Sequence, residues 1–185
     1  MDSSQRATVA RLLEEATSQD AGRIAAAEEE LRACETKHNH YATLFEIFAD
    51  RPAATTTAGH QQQQQQTRWL AIINFKNGID KYWKRADLHR IGLGEKQTVR
   101  AHLMDYFDEQ TPAIAVQYCV AVARIARWDF PRVWPEFADD LLARIRAIAG
   151  QQQQQQQQQQ EEEEQQQQQQ QQTMELNALY TMHLF

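Results

Sequence analysis

The sequence predicts an all-α protein built as a stack of helical hairpins, on three observations. Apolar residues recur at i, i+3, i+4 and i+7 in one segment after another, the stripe of an amphipathic helix. No run alternates apolar and polar residues between turn-forming pairs, as a strand would. The second, fourth, sixth and eighth periodic segments start near residues 21, 67, 112 and 174. Their spacings are about 46, 45 and, once a glutamine tract is discounted, about 40 residues. Two helices per period of that length mark a HEAT-type α-solenoid, here of about four repeats with the last incomplete.

The first helix carries Val9, Leu12, Leu13 and Ala16 on one stripe and ends at Ser18-Gln19-Asp20. Asp20 is placed to cap the second helix, whose apolar side holds Ile24, Ala27, Leu31 and Cys34. Asn39 is the expected cap of a third helix with Tyr41, Leu44, Phe45 and Phe48, and Pro52 lies just past its end. The fourth segment, Thr67 to Trp83, is apolar nearly all round, so it should be enclosed on most sides. Gly92 and Gly94 punctuate the loop before a fifth helix opening near Glu95, with Val99, Leu103, Tyr106 and Phe107 inward. Thr111-Pro112 starts the sixth, proline being suited to the first helical position. Pro131 stops it. Trp134-Pro135 opens the seventh, with Phe137, Leu141, Ile145 and Ile148 aligned and Gly150 as its expected end. An eighth periodic piece holds Leu176, Leu179, Tyr180 and His183. The odd-numbered helices read as amphipathic, the fourth and sixth as enclosed.

Composition bounds the rest. Of 185 residues, 42% are hydrophobic, and none of these lies in the glutamine runs 61–66, 151–160 and 165–172 or in Glu161–Glu164. Those tracts set the low mean hydropathy of -0.73, and the remainder is as apolar as a globular domain. The expected organisation is a first repeat and the outer helix of the second over 1–50, then a loop with a glutamine insertion over 51–66. The rest of the second repeat, the third repeat and the outer helix of the fourth fill 67–150. A disordered tract covers 151–172, and the inner helix of the fourth repeat begins at 173–185. Insertions between helices cost little.

No stretch is long and apolar enough to span a membrane, and Met1-Asp2-Ser3-Ser4-Gln5 lacks the apolar core of a secretory signal. Cys34 and Cys119 are too few for a disulfide framework or a four-cysteine zinc site, and both read as buried reduced thiols, which fits a reducing compartment. Net charge is -6, and four of those charges are Glu161–Glu164, so nothing global argues for direct nucleic-acid binding. Locally, residues 2–50 carry ten acids against five bases, and 68–100 carry eight bases against three acids. His38-x-His40 has the spacing of no common zinc site. Gly94-Glu95-Lys96 lacks the upstream glycine of a phosphate loop. No nucleophile, carboxylate pair or histidine constellation has workable spacing, so no enzyme activity, metal or cofactor is expected.

An ordered series of motifs runs through residues 27–135. It comprises Ala27-Glu28-x-x-Leu31, Arg68-Trp69-Leu70-Ala71, Phe75-Lys76-Asn77-Gly78-Ile79-Asp80-Lys81-Tyr82-Trp83, Glu95-Lys96 with Val99-Arg100 and Leu103, Ile114-Ala115-Val116-Gln117, Ile125-Ala126-Arg127-Trp128-Asp129 and Pro131-Arg132-x-Trp134-Pro135-Glu136. The series resembles the N-terminal domain of the importin-beta (karyopherin-beta) family of nuclear transport receptors. Arg68 to Trp83 most resembles the importin-eleven branch. The family's proteins are long superhelices, so the chain is similar to an amino-terminal piece that stops inside its fourth repeat. Gly94 departs from the family's usual Ser or Pro.

The resemblance implies a receptor shuttling between nucleus and cytoplasm, across the nuclear envelope. Its partners are the GTPase Ran in the GTP form, phenylalanine-glycine nucleoporins and protein cargo. Ran would be held mainly by inner helices of the first repeats, with no covalent chemistry. Lys76, Asn77 and Asp80, the polar positions of the enclosed fourth helix, are the first candidates for that contact. Arg68, Gln117 and Arg124 are the others. A structural reading stands beside this one: Asn77 would bond a neighbouring backbone and Lys76 a nearby acid. Glu28 is expected to pair with a base of the adjacent repeat. Trp69, Phe75, Tyr82 and Trp83 read as core, and Trp134 as a staple of the turn before Pro135. The alternative function is a HEAT-repeat scaffold independent of any GTPase.

Overall fold

A computed structural model describes residues 3–53, 55–84 and 90–182. Among the described residues there are seven helices and no strand: α1 (Ser3–Glu15), α2 (Ala21–Cys34), α3 (His40–Ala49), α4 (Ala58–Tyr82), α5 (Leu93–His102), α6 (Pro112–Asp129) and α7 (Phe137–Met182). The chain divides into two compact units, Met1–Ala138 and Asp139–Phe185.

In the first unit, hairpin partners pack as α1 on α2 and α3 on α4, and successive hairpins stack through α1 on α3, α3 on α5 and α4 on α6. This is the all-α, HEAT-type arrangement the spacing predicts. The core runs through Leu12, Leu13, Leu44, Phe48, Ile72, Phe75, Ile79, Leu103, Ile114 and Tyr118, all fully buried. Each such aliphatic or aromatic side chain contributes roughly 1.5–3 kcal/mol by leaving water. An aromatic lattice links the repeats. Phe45 meets Phe75 at 5.4 Å, Phe48 stacks on Tyr118 at 5.4 Å, and Tyr106 stands edge-on to Phe48 at 5.3 Å.

Asp20 caps α2 as expected, accepting from the backbone N–H of Gly22 at 2.7 Å and of Arg23 at 3.2 Å. Asn39 does not cap α3. It adopts φ 60°, ψ 15°, the left-handed region, and its side chain makes no capping bond. The Glu95 carboxylate, from α5, takes that role. It accepts from the backbone N–H groups of Tyr41 at 2.7 Å, Ala42 at 3.0 Å and Asn39 at 3.2 Å. Thr111 stands at the start of α6 but likewise makes no side-chain cap bond.

The third helix is more enclosed than its amphipathic pattern predicts. His40 through Phe45, Ile47 and Phe48 are all buried, because α1, α4 and α5 all pack against α3. Trp69 differs in the other direction: it is 41% exposed. Cys34 is buried as expected, whereas Cys119 is exposed on the outer side of α6.

The glutamine runs depart most from expectation. Helix α4 starts at Ala58 and runs through Gln61–Gln66, where a loop was expected. Gln63 Nε2 donates to Thr17 Oγ1 at 3.2 Å, and Gln64 Nε2 donates to the Asp50 carbonyl at 3.2 Å, which ties the run to its neighbours. Helix α7 passes through Gly150 and continues across 151–172, where disorder was expected, so the seventh and eighth periodic pieces form one helix. Glutamine is a good helix former, and Gly150 has ordinary negative φ, so it weakens the helix by about 1 kcal/mol without ending it. His183 lies outside the described residues.

Gly78 is demanded by packing. A Cβ there would lie 1.8 Å from Cε1 of the Tyr41 ring, which fills that space. Gly78→Ala should therefore destabilise the fold by roughly 1–3 kcal/mol despite alanine's better helix propensity. The loss should shrink when Tyr41→Leu removes the clash. Urea midpoints of the two single variants and the double variant check both statements; additive losses would contradict them.

His40 is buried, its Nδ1 lacks a hydrogen-bond partner, and burial lowers its pKa from 6.5 to about 4. Glu35 opposes that shift and Lys37 adds to it. The folded state thus holds a neutral imidazole. Its contribution to stability is complete above the unfolded pKa of 6.5 and is lost as pH falls towards the folded value of about 4. The total is on the order of 3 kcal/mol. Unfolding free energy should fall across this window with a one-proton slope that His40→Phe removes.

Candidate functional site

The buried side of α4 is set by Ala71, Ile72, Phe75, Gly78 and Ile79. At 3.6 residues per turn, Lys76, Asn77 and Asp80 then fall on the side turned away from Phe75. On α6 the buried side is set by Ile114, Tyr118, Ala121, Val122 and Ile125, which leaves Gln117 and Arg124, two turns apart, on one flank. Because α4 packs on α6, these two sets meet.

All of them except Asn77 form a connected polar lattice. Lys76 Nζ donates to Gln117 Oε1 at 2.8 Å. Arg124 Nη1 donates to the Lys76 carbonyl at 3.2 Å and pairs with the Asp80 carboxylate. Lys76, Gln117 and Arg124 are half-buried, while Asn77 and Asp80 are exposed. Ammonium, guanidinium, amide and carboxylate are thereby held in fixed positions on the same α4–α6 face. Such pairs are worth little to stability at a surface. They can exchange bonds with the polar groups of a protein partner.

Arg68 is the candidate the structure does not bring there. It is 2% exposed. Its Nε donates to the Phe48 carbonyl at 2.7 Å and its guanidinium pairs with the buried Glu109 carboxylate. It therefore joins the end of α3 to the segment before α6. Burial alone would raise the Glu109 pKa, but hydrogen bonds from Arg68 and Thr111 and the Arg68 charge outweigh it and hold the carboxyl below the ordinary range.

A second buried junction lies at the other end of α4. Asp129 accepts from Trp83 Nε1 at 3.1 Å and pairs with Arg100 at 2.6 Å, while Lys96 donates to the Trp83 carbonyl. Burial lowers the Lys96 pKa, Asp129 opposes the shift, and Arg100 and Arg90 reinforce it. Sequence reading misses the roles of Glu95, Glu109 and Asp129. Their signal is an acid in an apolar motif whose partner lies dozens of residues away. The acid of α2 that meets the fourth helix is also not Glu28, which forms no ion pair among the described residues. It is Glu35, just past the last turn, which accepts from Lys81 Nζ at 3.1 Å and from the Tyr82 hydroxyl at 2.8 Å. Phe75 and Trp83 are core as expected, and Trp134 is buried edge-on against Phe137 at 4.9 Å.

No group of three or more metal-ligating side chains comes together among the described residues. No described helix is long and apolar enough to cross a membrane.

Residues 27–109, from within α2 to just before α6, match the family described as Importin-beta N-terminal domain. Importin-11 of Mus musculus is 37% identical over 143 residues, 77% of this chain and 14% of the relative. The chain belongs to the importin-beta family. Importin-11 of Homo sapiens is 37% identical over 147 residues, 79% of this chain and 14% of its own length. Importin beta-like protein KAP120 of Saccharomyces cerevisiae is 38% identical over 115 residues, 62% of this chain and 10% of its own. Within the importin-beta family the similarity is to the importin-11 branch, and the chain spans only a small part of these relatives' length. The matched domain contains Arg68, Lys76, Asn77 and Asp80, whereas Gln117 and Arg124 follow it in the chain.

Arg68→Met should strand a buried carboxylate and cost about 3–5 kcal/mol. Replacing both partners, Arg68→Met with Glu109→Leu, should recover much of that loss. Chemical denaturation of the three variants tests this; a loss under 1 kcal/mol in Arg68→Met would contradict a buried pair.

Proposed function

We propose that this chain is the amino-terminal, Ran-GTP-binding segment of an importin-type nuclear transport receptor, and that Lys76, Asn77, Asp80, Gln117 and Arg124 make the contact. The observation that carries the reading is the connected polar lattice on the α4–α6 face of an importin-beta family domain. A lattice of mixed sign selects a partner with complementary mixed charge and gives specificity more than raw affinity. Arg68 acts from within, by holding α3 and α4 in register.

On this reading the protein works by binding alone. Ran in the GTP form and protein cargo prefer different shapes of the helical stack, and that difference is the coupling free energy between them. Phenylalanine-glycine nucleoporins are the third class of partner. The protein moves between cytoplasm and nucleus, and the rest of a longer receptor supplies much of the cargo site.

The experiment is capture of purified Ran, loaded with GTP or with GDP, on the immobilised chain. GTP-loaded Ran should be retained in clear excess. Lys76→Ala with Asn77→Ala should reduce retention about ten-fold or more without lowering the thermal midpoint, since neither residue is in the core. Glu29→Ala, on the exposed side of α2, should change nothing. Equal or absent capture of the two nucleotide forms would favour a HEAT-repeat scaffold that needs no GTPase.

A further inference from the structure

We propose that the end of α6 carries a docking site for an acidic peptide segment bearing an aromatic or aliphatic side chain, with Trp128 as its anchor. This inference does not rest on the GTPase reading.

Trp128 is 41% exposed, and Phe130 (45%) and Val133 (57%) follow within one short turn. Large apolar side chains grouped this way at a surface mark interaction sites, and tryptophan is prominent among the residues that dominate binding energy. Cations frame the indole. Lys84 Nζ lies 4.3 Å from the ring centroid and Arg127 Cζ lies 5.6 Å from it. Arg132 is exposed in the same turn.

Among the described residues, Lys84, Arg127 and Arg132 form no ion pair. Of the two acids that flank the turn, Asp129 is buried and engaged by Trp83 and Arg100, and Glu136 is exposed with no ion pair among the described residues. One turn back along α6, Arg124 is balanced by Asp80, so the excess of positive charge begins at Arg127.

The turn is also fixed in advance. The Asp129 carbonyl accepts from the backbone N–H of Val133 at 2.7 Å and of Trp134 at 3.0 Å, and the buried Trp134 packs on Phe137. A partner binding here orders little that is not already ordered. Charge complementarity selects carboxylates for Lys84, Arg127 and Arg132, and the exposed indole, phenyl and isopropyl groups select an apolar side chain among them. A single-stranded nucleic acid requires a track of bases with several stacking rings. Here one indole stands with its cations, on a chain of net charge -6.

The test is fluorescence anisotropy on the full chain with three fluorescein-labelled probes. They are a peptide of Asp and Glu around one Phe, a neutral Ser/Asn peptide around the same Phe, and an oligothymidine of similar length. The acidic peptide should bind at least ten-fold tighter than either of the others and weaken as salt is raised. Trp128→Ala should reduce that affinity about ten-fold. Lys84→Glu with Arg127→Glu should abolish it and leave the thermal midpoint unchanged, so a folding defect in the first variant cannot mask the result. Equal affinity for acidic and neutral peptides, tighter binding of the oligothymidine, or no effect of the charge reversal would each overturn the proposal. Capture of GTP-loaded Ran by the same variants is scored separately.

Discussion

The Glu95 carboxylate sits against the amino end of α3, and much of the first unit's geometry follows from it. Helix α3 is buried on nearly every side, so its first backbone N–H groups cannot reach water. An unpaired buried N–H costs on the order of 1–3 kcal/mol, and a helix start has several. Asn39, held in the left-handed region, cannot supply a side-chain cap. Glu95 satisfies three of these donors at once, from a helix more than fifty residues away. That bond fixes the start of α5 against α3. The negative charge is in turn favoured by the positive end of the α3 dipole.

The same device recurs where the next repeats meet. Glu109 receives Arg68, and Asp129 receives Arg100 and the Trp83 indole. A buried acid of this kind is no cheap source of stability, because desolvation offsets most of the attraction. What it supplies is register. An apolar surface tolerates a slip of one helix along another, whereas a carboxylate with two or three fixed donors does not. Three such junctions hold α3, α4, α5 and α6 in one arrangement, and the polar lattice of Lys76, Asp80, Gln117 and Arg124 depends on that arrangement.

Helix existence and the hairpin period were legible in the sequence because they rest on periodicity, which is local. Asp20 was legible as a cap for the same reason. Asn39 misled because its residue type suits a cap, while the actual capping group comes from another repeat. Lys76, Asp80, Gln117 and Arg124 meet one another as a simple argument leads one to expect, that polar residues on enclosed helices face away from the core. Arg68 broke that argument, since a buried carboxylate can hold a guanidinium inside. Trp69 and Cys119 broke its converse: an apolar residue type does not require burial, only permits it.

The glutamine run within α4 carries a consequence for variation in its length. In a loop, one residue more or less is absorbed by slack. In a continuous helix, each added glutamine turns everything before it by about 100° and shifts it by about 1.5 Å. The bonds of Gln63 to Thr17 and of Gln64 to Asp50 fix the phase at which this rod meets its neighbours. Because the run is all glutamine and the core holds α4 from Thr67 onward, added residues leave glutamines at those two docking positions. Each increment instead swings Ala58–His60 and the entering chain around the rod, so expansion here acts as a ratchet with angular teeth on the connection from α3 alone.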